Sequence, residues 1–92
     1  MFEVIYSDVV AGLTIMNNLN KECLEIIDQD YKVYALVSYN PFTPTLADID
    51  YAYHTALLAY WGDKSNSDVI IEKARQLWRE SDFYKNSLQY ED

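Results

Sequence analysis

The chain is poor in the residues that usually announce a chemistry. It has one cysteine, Cys23, so it can form neither an internal disulfide nor a cysteine-based zinc framework. It has one histidine, His54, and no second His or nearby Cys to complete a metal site with it. Its two glycines, Gly12 and Gly62, stand in no repeat, so no glycine loop cradles a phosphate. No serine sits in a nucleophile-elbow pattern. Two prolines, Pro41 and Pro44, stiffen a single loop over 40–44. Bases are scarce, with seven Lys and Arg against fifteen Asp and Glu and a formal charge of −8. That shortage argues against direct nucleic-acid binding, which needs cations to displace counterions from phosphate. It argues equally against an anionic membrane surface. The opening MFEVIYSD has no basic leader region. No run approaches the ~20 apolar residues of a membrane span. The cytoplasm is the expected compartment.

What is present suits one acidic globular domain over residues 1–92. A chain of this length buries roughly 60–65% of the surface its unfolded form exposes. Half of the residues are hydrophobic, which sets the chain apart from a disordered acidic tail. Nine Tyr, three Phe and two Trp make it rich in aromatics, which fill cores and also anchor interfaces.

The best-specified element is Thr45 to Gly62. Thr45 caps a helix, Asp48 completes a capping-box-like start, and Gly62 stands where the helix stops. Leu46, Ile49, Tyr53, Leu57 and Tyr60 recur at helical spacing. Ala47, Ala52, Leu58 and Ala59 lie off that stripe, so the helix is apolar almost all round. Such a helix is buried on more than one side, by a second layer or by a subunit partner.

The flanking segments follow in order. Residues 2–6, FEVIY, read as a short strand by composition, although Phe2, Ile5 and Val9 also fall at helical spacing. From Asp8 to Asp28 the pattern reads as helix, with Val9, Leu13, Met16, Cys23, Leu24 and Ile27 on one stripe and a weak point near Asn20. Gly12 within it suggests a close contact. Tyr31 to Asn40 is the clearest strand, bounded by Asp-Gln-Asp and Asn-Pro, and it needs a partner in FEVIY or in a second copy. Ser67 caps a last amphipathic helix over 68–81, with Ile70, Ala74, Leu77 and Trp78 inward and Glu72 placed to pair with Arg75. Residues 82–92 add a short helix or lie extended. The expected fold is therefore α+β and mainly helical, in the order β-α-β-α-α. The alternative is all-α with an isolated strand.

Charge is unevenly spread. Residues 1–63 hold nine acids and only Lys21 and Lys32 as bases, a net −7. Residues 64–92 hold six acids and five bases, a net −1. On the predicted helix, Glu22, Glu25 and Asp28 are spaced by three, which puts their Cβ atoms roughly 5–6 Å apart along a ridge. Asp30 extends it. Such a row resembles a DNA strand, with one phosphate per about 3.4 Å of rise. The plain alternative is a solvated helix face.

Catalytic chemistry finds little support. Asp50 precedes His54 by four, so the two are placed to pair locally. Asp48 and Asp50, two apart on a helix, point to different faces and do not form an acid pair. Cys23 on the apolar stripe reads as a buried, inert thiol. No catalytic residue, cofactor or metal is expected. Tyr31, Tyr34 and Tyr51 are candidate anchors for an arginine-bearing partner, against the alternative of ordinary surface tyrosines.

In size, acidity and lack of motifs the chain resembles the small DNA-mimic anti-restriction proteins of bacteriophages, the Arn-like proteins. The residues that carry the resemblance are Glu22, Glu25, Asp28, Asp30, Asp48, Asp50 and Asp63. It implies a homodimer that blocks the DNA-binding surface of a restriction enzyme or nucleoid protein. The balanced charge of residues 64–92 departs from a uniformly acidic mimic. A second reading is an acidic adaptor or immunity-type module that binds a specific partner without DNA mimicry.

Overall fold

A computed structural model describes residues 2–38 and 44–90, with side chains to residue 86. Four strands come first: β1 (Phe2–Asp8), β2 (Leu13–Asn18), β3 (Cys23–Ile27) and β4 (Val33–Ser38). Three helices follow: α1 (Leu46–Trp61), α2 (Ser67–Glu80) and α3 (Asp82–Tyr90). The strands form one antiparallel sheet in the order β1-β2-β3-β4. This overturns the mainly helical β-α-β-α-α expectation and its all-α alternative.

The correction falls on residues 8–28, which form a hairpin, β2 and β3, where a helix was expected. Ile15 pairs with Ile26 on the core face, where Leu13 and Leu24 are also buried. Met16, Cys23 and Ile27 are buried on the opposite face of the sheet. Both faces of the hairpin therefore carry buried apolar residues, which hides the period of two and leaves a false stripe at three and four. Val9, counted in that stripe, is 91% exposed in a turn.

Three side chains set the reverse turns, and they recur every ten residues. Asp8 Oδ1 accepts the N–H groups of Val10 (2.8 Å) and Ala11 (3.1 Å). Asn18 Oδ1 accepts the N–H of Lys21 at 3.2 Å. Asp28 Oδ1 accepts the N–H groups of Asp30 (2.8 Å) and Lys32 (3.0 Å). Short Asp and Asn side chains mimic a backbone turn in this way. Asp8 thus starts a turn where the sequence pattern suggested the start of a helix. Gly12 has φ +75 and open space where a Cβ would sit, so it serves the turn's left-handed backbone and not a close contact.

β1 is a strand, but it pairs with β2 and lies at the far edge from β4. β4 pairs with β3 instead, with a bulge that leaves Tyr34 unpaired in the ladder. Tyr39, Asn40 and the loop to residue 43 lie outside the described residues.

The helices cover one face of the sheet, α1 over β4 and β3 and α2 over β1. α1 begins as its capping box requires: Thr45 Oγ1 accepts the Asp48 N–H at 3.2 Å, and Asp48 Oδ2 accepts the Thr45 N–H at 3.1 Å. Leu46, Ile49, Tyr53 and Leu57 are buried and Tyr60 is half-buried. α2 starts after Asn66, which holds φ +62 and makes no side-chain cap bond, so Ser67 lies within the helix. Trp78 sits at the centre of the core with no exposed surface. Its ring stacks on Tyr53 at 5.5 Å, 7° from parallel, and Tyr6, Phe83 and Tyr84 surround it. Much of the aromatic content is thus spent on one cluster, where each ring pair adds ~0.5–1.5 kcal/mol beyond its burial.

Candidate partner-binding surface

With residues 8–28 in strands, the helical ridge of carboxylates does not exist. Its members part to opposite ends of β3. Glu22 is exposed in the β2–β3 turn with φ +52. Glu25 lies on the outer face of β3, where Asn18 Nδ2 reaches it at 3.5 Å and Lys21 Nζ at 4.0 Å. Asp28 closes β3 at the far end, and Asp30 stands exposed two residues on. The five residues of β3 span about 17 Å, equal to about five base-pair rises of DNA.

The remaining candidate acids join these two ends. Asp48 caps α1 and lines a groove of about 490 Å³ beside Ser38, whose strand partner is Cys23, so it belongs with Glu22. Asp63 is exposed just after Trp61, whose indole N–H donates to the Ala11 carbonyl at 3.1 Å. It therefore belongs with Asp28 and Asp30. Asp50 points elsewhere. It accepts the Trp78 indole N–H at 2.8 Å and pairs with Arg75 at 3.7 Å, tying α1 to α2. That displaces two expectations. Arg75 reaches Asp50 across the helix pair instead of Glu72 along its own helix. His54 does not gain Asp50 as a partner, and its Nδ1 is buried with no hydrogen-bond partner among the described residues.

Glu25, Asp28, Asp48 and Asp50 thus carry structural hydrogen bonds, while Glu22, Asp30 and Asp63 stand out from turns. Bonding fixes a carboxylate without removing its charge. Asp28 illustrates this. Burial pushes its carboxyl up, but the N–H groups of Lys32 and Asp30, the Tyr34 hydroxyl at 2.9 Å and the Lys32 charge outweigh that and hold it below the usual range. It stays ionised at neutral pH. The Tyr34 phenol is raised in turn, by burial first and then by Asp28. Tyr34 is therefore committed within the fold, whereas Tyr31 (φ +64) and Tyr51 (75% exposed) face outward.

Sequence reasoning missed the aromatic residues at the end of α1. Tyr60 meets Tyr34 edge-on at 5.0 Å and Trp61 at 5.3 Å. Lys64 Nζ lies 3.7 Å from the Tyr60 ring centre and 4.7 Å from that of Trp61. Lys32 Nζ lies 5.3 Å over Tyr34. The signal was present as Tyr60-Trp61 next to Lys64, but only the fold sets them against Asp28 and Asp30.

Cys23 is a buried thiol, pushed up by burial and by Glu25 against the opposing charge of Lys21. Among the described residues, no three His, Cys, Asp or Glu side chains gather into a metal-binding group. No helix among them is long and apolar enough to cross a membrane. Comparison with known proteins finds no matching family model, no matching curated protein and no matching solved structure.

Proposed function

We propose that the chain is a DNA-mimic inhibitor. It occupies the cationic DNA-binding site of a restriction enzyme or other DNA-binding protein, as a phage counter-defence acting in the host cytoplasm. No catalysis, cofactor or direct nucleic-acid contact is involved. The observation that carries this reading is the separation of charge across the fold. Residues 1–63, which contain the sheet and α1, hold a net −7, with Asp28 at one end of β3 and Asp48 near the other fixed by hydrogen bonds. Four of the seven bases, Lys73, Arg75, Arg79 and Lys85, fall on α2 and α3. Fixed charge on rigid elements binds a preformed cationic groove at a lower ordering cost than charge on flexible loops. Mimicry in this form uses discrete acids about 17 Å apart along β3, not a continuous ridge.

The test is capture of partners from bacterial lysate on the purified chain, with washes at low and high salt and duplex DNA as competitor. Screening shrinks from ~10 Å at 0.1 M to ~3 Å at 1 M salt, so a contact between exposed charges releases. A DNA-binding protein freed by both salt and DNA is the expected result. A partner that survives salt and ignores DNA refutes mimicry and supports the adaptor or immunity-type reading. One observation favours that second reading: the outer face of α1 shows Tyr51, Thr55, Leu58 and Ala59 to solvent, with Asp48 as its charge at the N-terminal end. The same face is where a homodimer would close.

A further inference from the structure

We propose that the end of the molecule formed by the β1–β2 turn, the β3–β4 turn and the last turn of α1 is a receptor for one cationic side chain of a protein partner, arginine in preference to lysine. The proposal rests on the reading that the partner is basic, and it names the place where the first contact is made.

A cleft of about 280 Å³ opens at this end, lined by Asp28, Asp30, Tyr60, Trp61 and the backbone around Gly12. Its walls are held in place from outside. The Trp61 indole is tied to the Ala11 carbonyl, and Asp28 is tied by its own turn and by Tyr34. The chain already places its own cations on this surface. Lys64 rests on Tyr60 and Trp61, and Lys32 rests on Tyr34, which touches Tyr60. Tyr60 and Trp61, which line the cleft with Asp28 and Asp30, are therefore rings that accept an ammonium group, and Tyr34 backs Tyr60 from outside it. α1 ends here with no basic residue in its last turn, so the negative end of its dipole adds to the field.

Lys64 is an exposed side chain on half-buried rings, a contact of only ~0.5–1 kcal/mol, so an incoming side chain displaces it readily. A guanidinium gains more than it displaces. It stacks flat on an aromatic face and offers a fork of donors to a carboxylate such as Asp30. An ammonium makes only the point-charge part of that contact.

The experiment is titration of the full-length chain with a hexa-arginine peptide at low salt, followed by tryptophan emission. Trp78 has no exposed surface, so a ligand-dependent change reports Trp61. A saturable change is expected, with hexalysine binding more weakly. Lys64→Ala, which frees the rings, should tighten hexa-arginine binding about 2–5-fold, the equivalent of one exposed cation–π contact. Asp30→Asn, on an exposed turn, should weaken it by a similar factor. Binding with no change in emission, binding unaltered in both variants, or no binding at all would each overturn the site. The inhibitor reading fails separately: it falls if lysate capture yields no partner released by DNA, even when the peptide behaves as expected. If capture succeeds and is indifferent to Asp30→Asn and Lys64→Ala, the site falls and the inhibitor reading stands.

Discussion

Replacing Tyr53 with Phe removes one oxygen from the interior and tests how the two layers are joined. The Tyr53 hydroxyl donates to Asp8 Oδ2, forty-five residues away in sequence. Both groups are enclosed, with Tyr53 1% and Asp8 2% exposed. The other oxygen of Asp8 holds the β1–β2 turn through Val10 and Ala11. The substitution leaves the ring stacked on Trp78 but strips a buried carboxylate oxygen of its donor. A hydrogen bond to a charged group contributes ~1.5–3 kcal/mol, and a buried acceptor without its donor is costly to keep. The expected loss is about 2–3 kcal/mol, a large share of the ~5–14 kcal/mol available to a domain of this size. In thermal unfolding it corresponds to a fall of about 8–20 °C. Urea unfolding followed by far-ultraviolet circular dichroism measures it. A cycle with Asp8→Asn isolates the pair, since residues in direct contact couple by ~0.5–3 kcal/mol. A Tyr53→Phe midpoint within about 0.5 kcal/mol of the parent, or a cycle with no coupling, would refute the reasoning.

Three further outcomes are expected. Burial, and then Asp8, push the Tyr53 phenol far above its usual range, and the same two causes raise Tyr6 to about 12. Unfolded tyrosines ionise near ~10, so above that pH the unfolded state loses protons that the folded state keeps, and stability falls as pH rises. Urea midpoints from pH 8 to 11 should therefore decline above about 10, less steeply in Tyr53→Phe; a flat profile would contradict the burial of these phenols. Gly12→Ala should cost ~1–2 kcal/mol from its left-handed backbone alone, because a Cβ there meets nothing, and Gly12→Asn should cost less. In sedimentation, the parent chain is expected as a dimer. Tyr51→Lys and Leu58→Lys, which place a charge on the apolar face of α1, should give monomers, and an unchanged mass would show that this face is not the contact.

Local chemistry was enough to define α1. Thr45, Asp48 and Gly62 are its punctuation, its buried stripe has one period, and all of this lies within eighteen residues of sequence. α2 was legible from Ile70, Ala74 and Trp78 for the same reason, and β4 from its β-branched and aromatic run. The β2–β3 hairpin was not. Met16, Cys23 and Ile27 put apolar residues on its outer face as well as its inner one, so periodicity alone does not separate strand from helix. The better signal was Asp8, Asn18 and Asp28 at intervals of ten, the spacing of turns in a meander. The acids divide along the same line. Their number and their bias toward residues 1–63 belong to the sequence by itself. Tertiary structure decided which of them meet, because a strand's partners and a turn's neighbours come from distant residues. It sent Glu22 and Asp28 to opposite ends of β3, turned Asp50 inward to Trp78 and Arg75, and brought Asp28 and Asp30 to the rings of Tyr60 and Trp61.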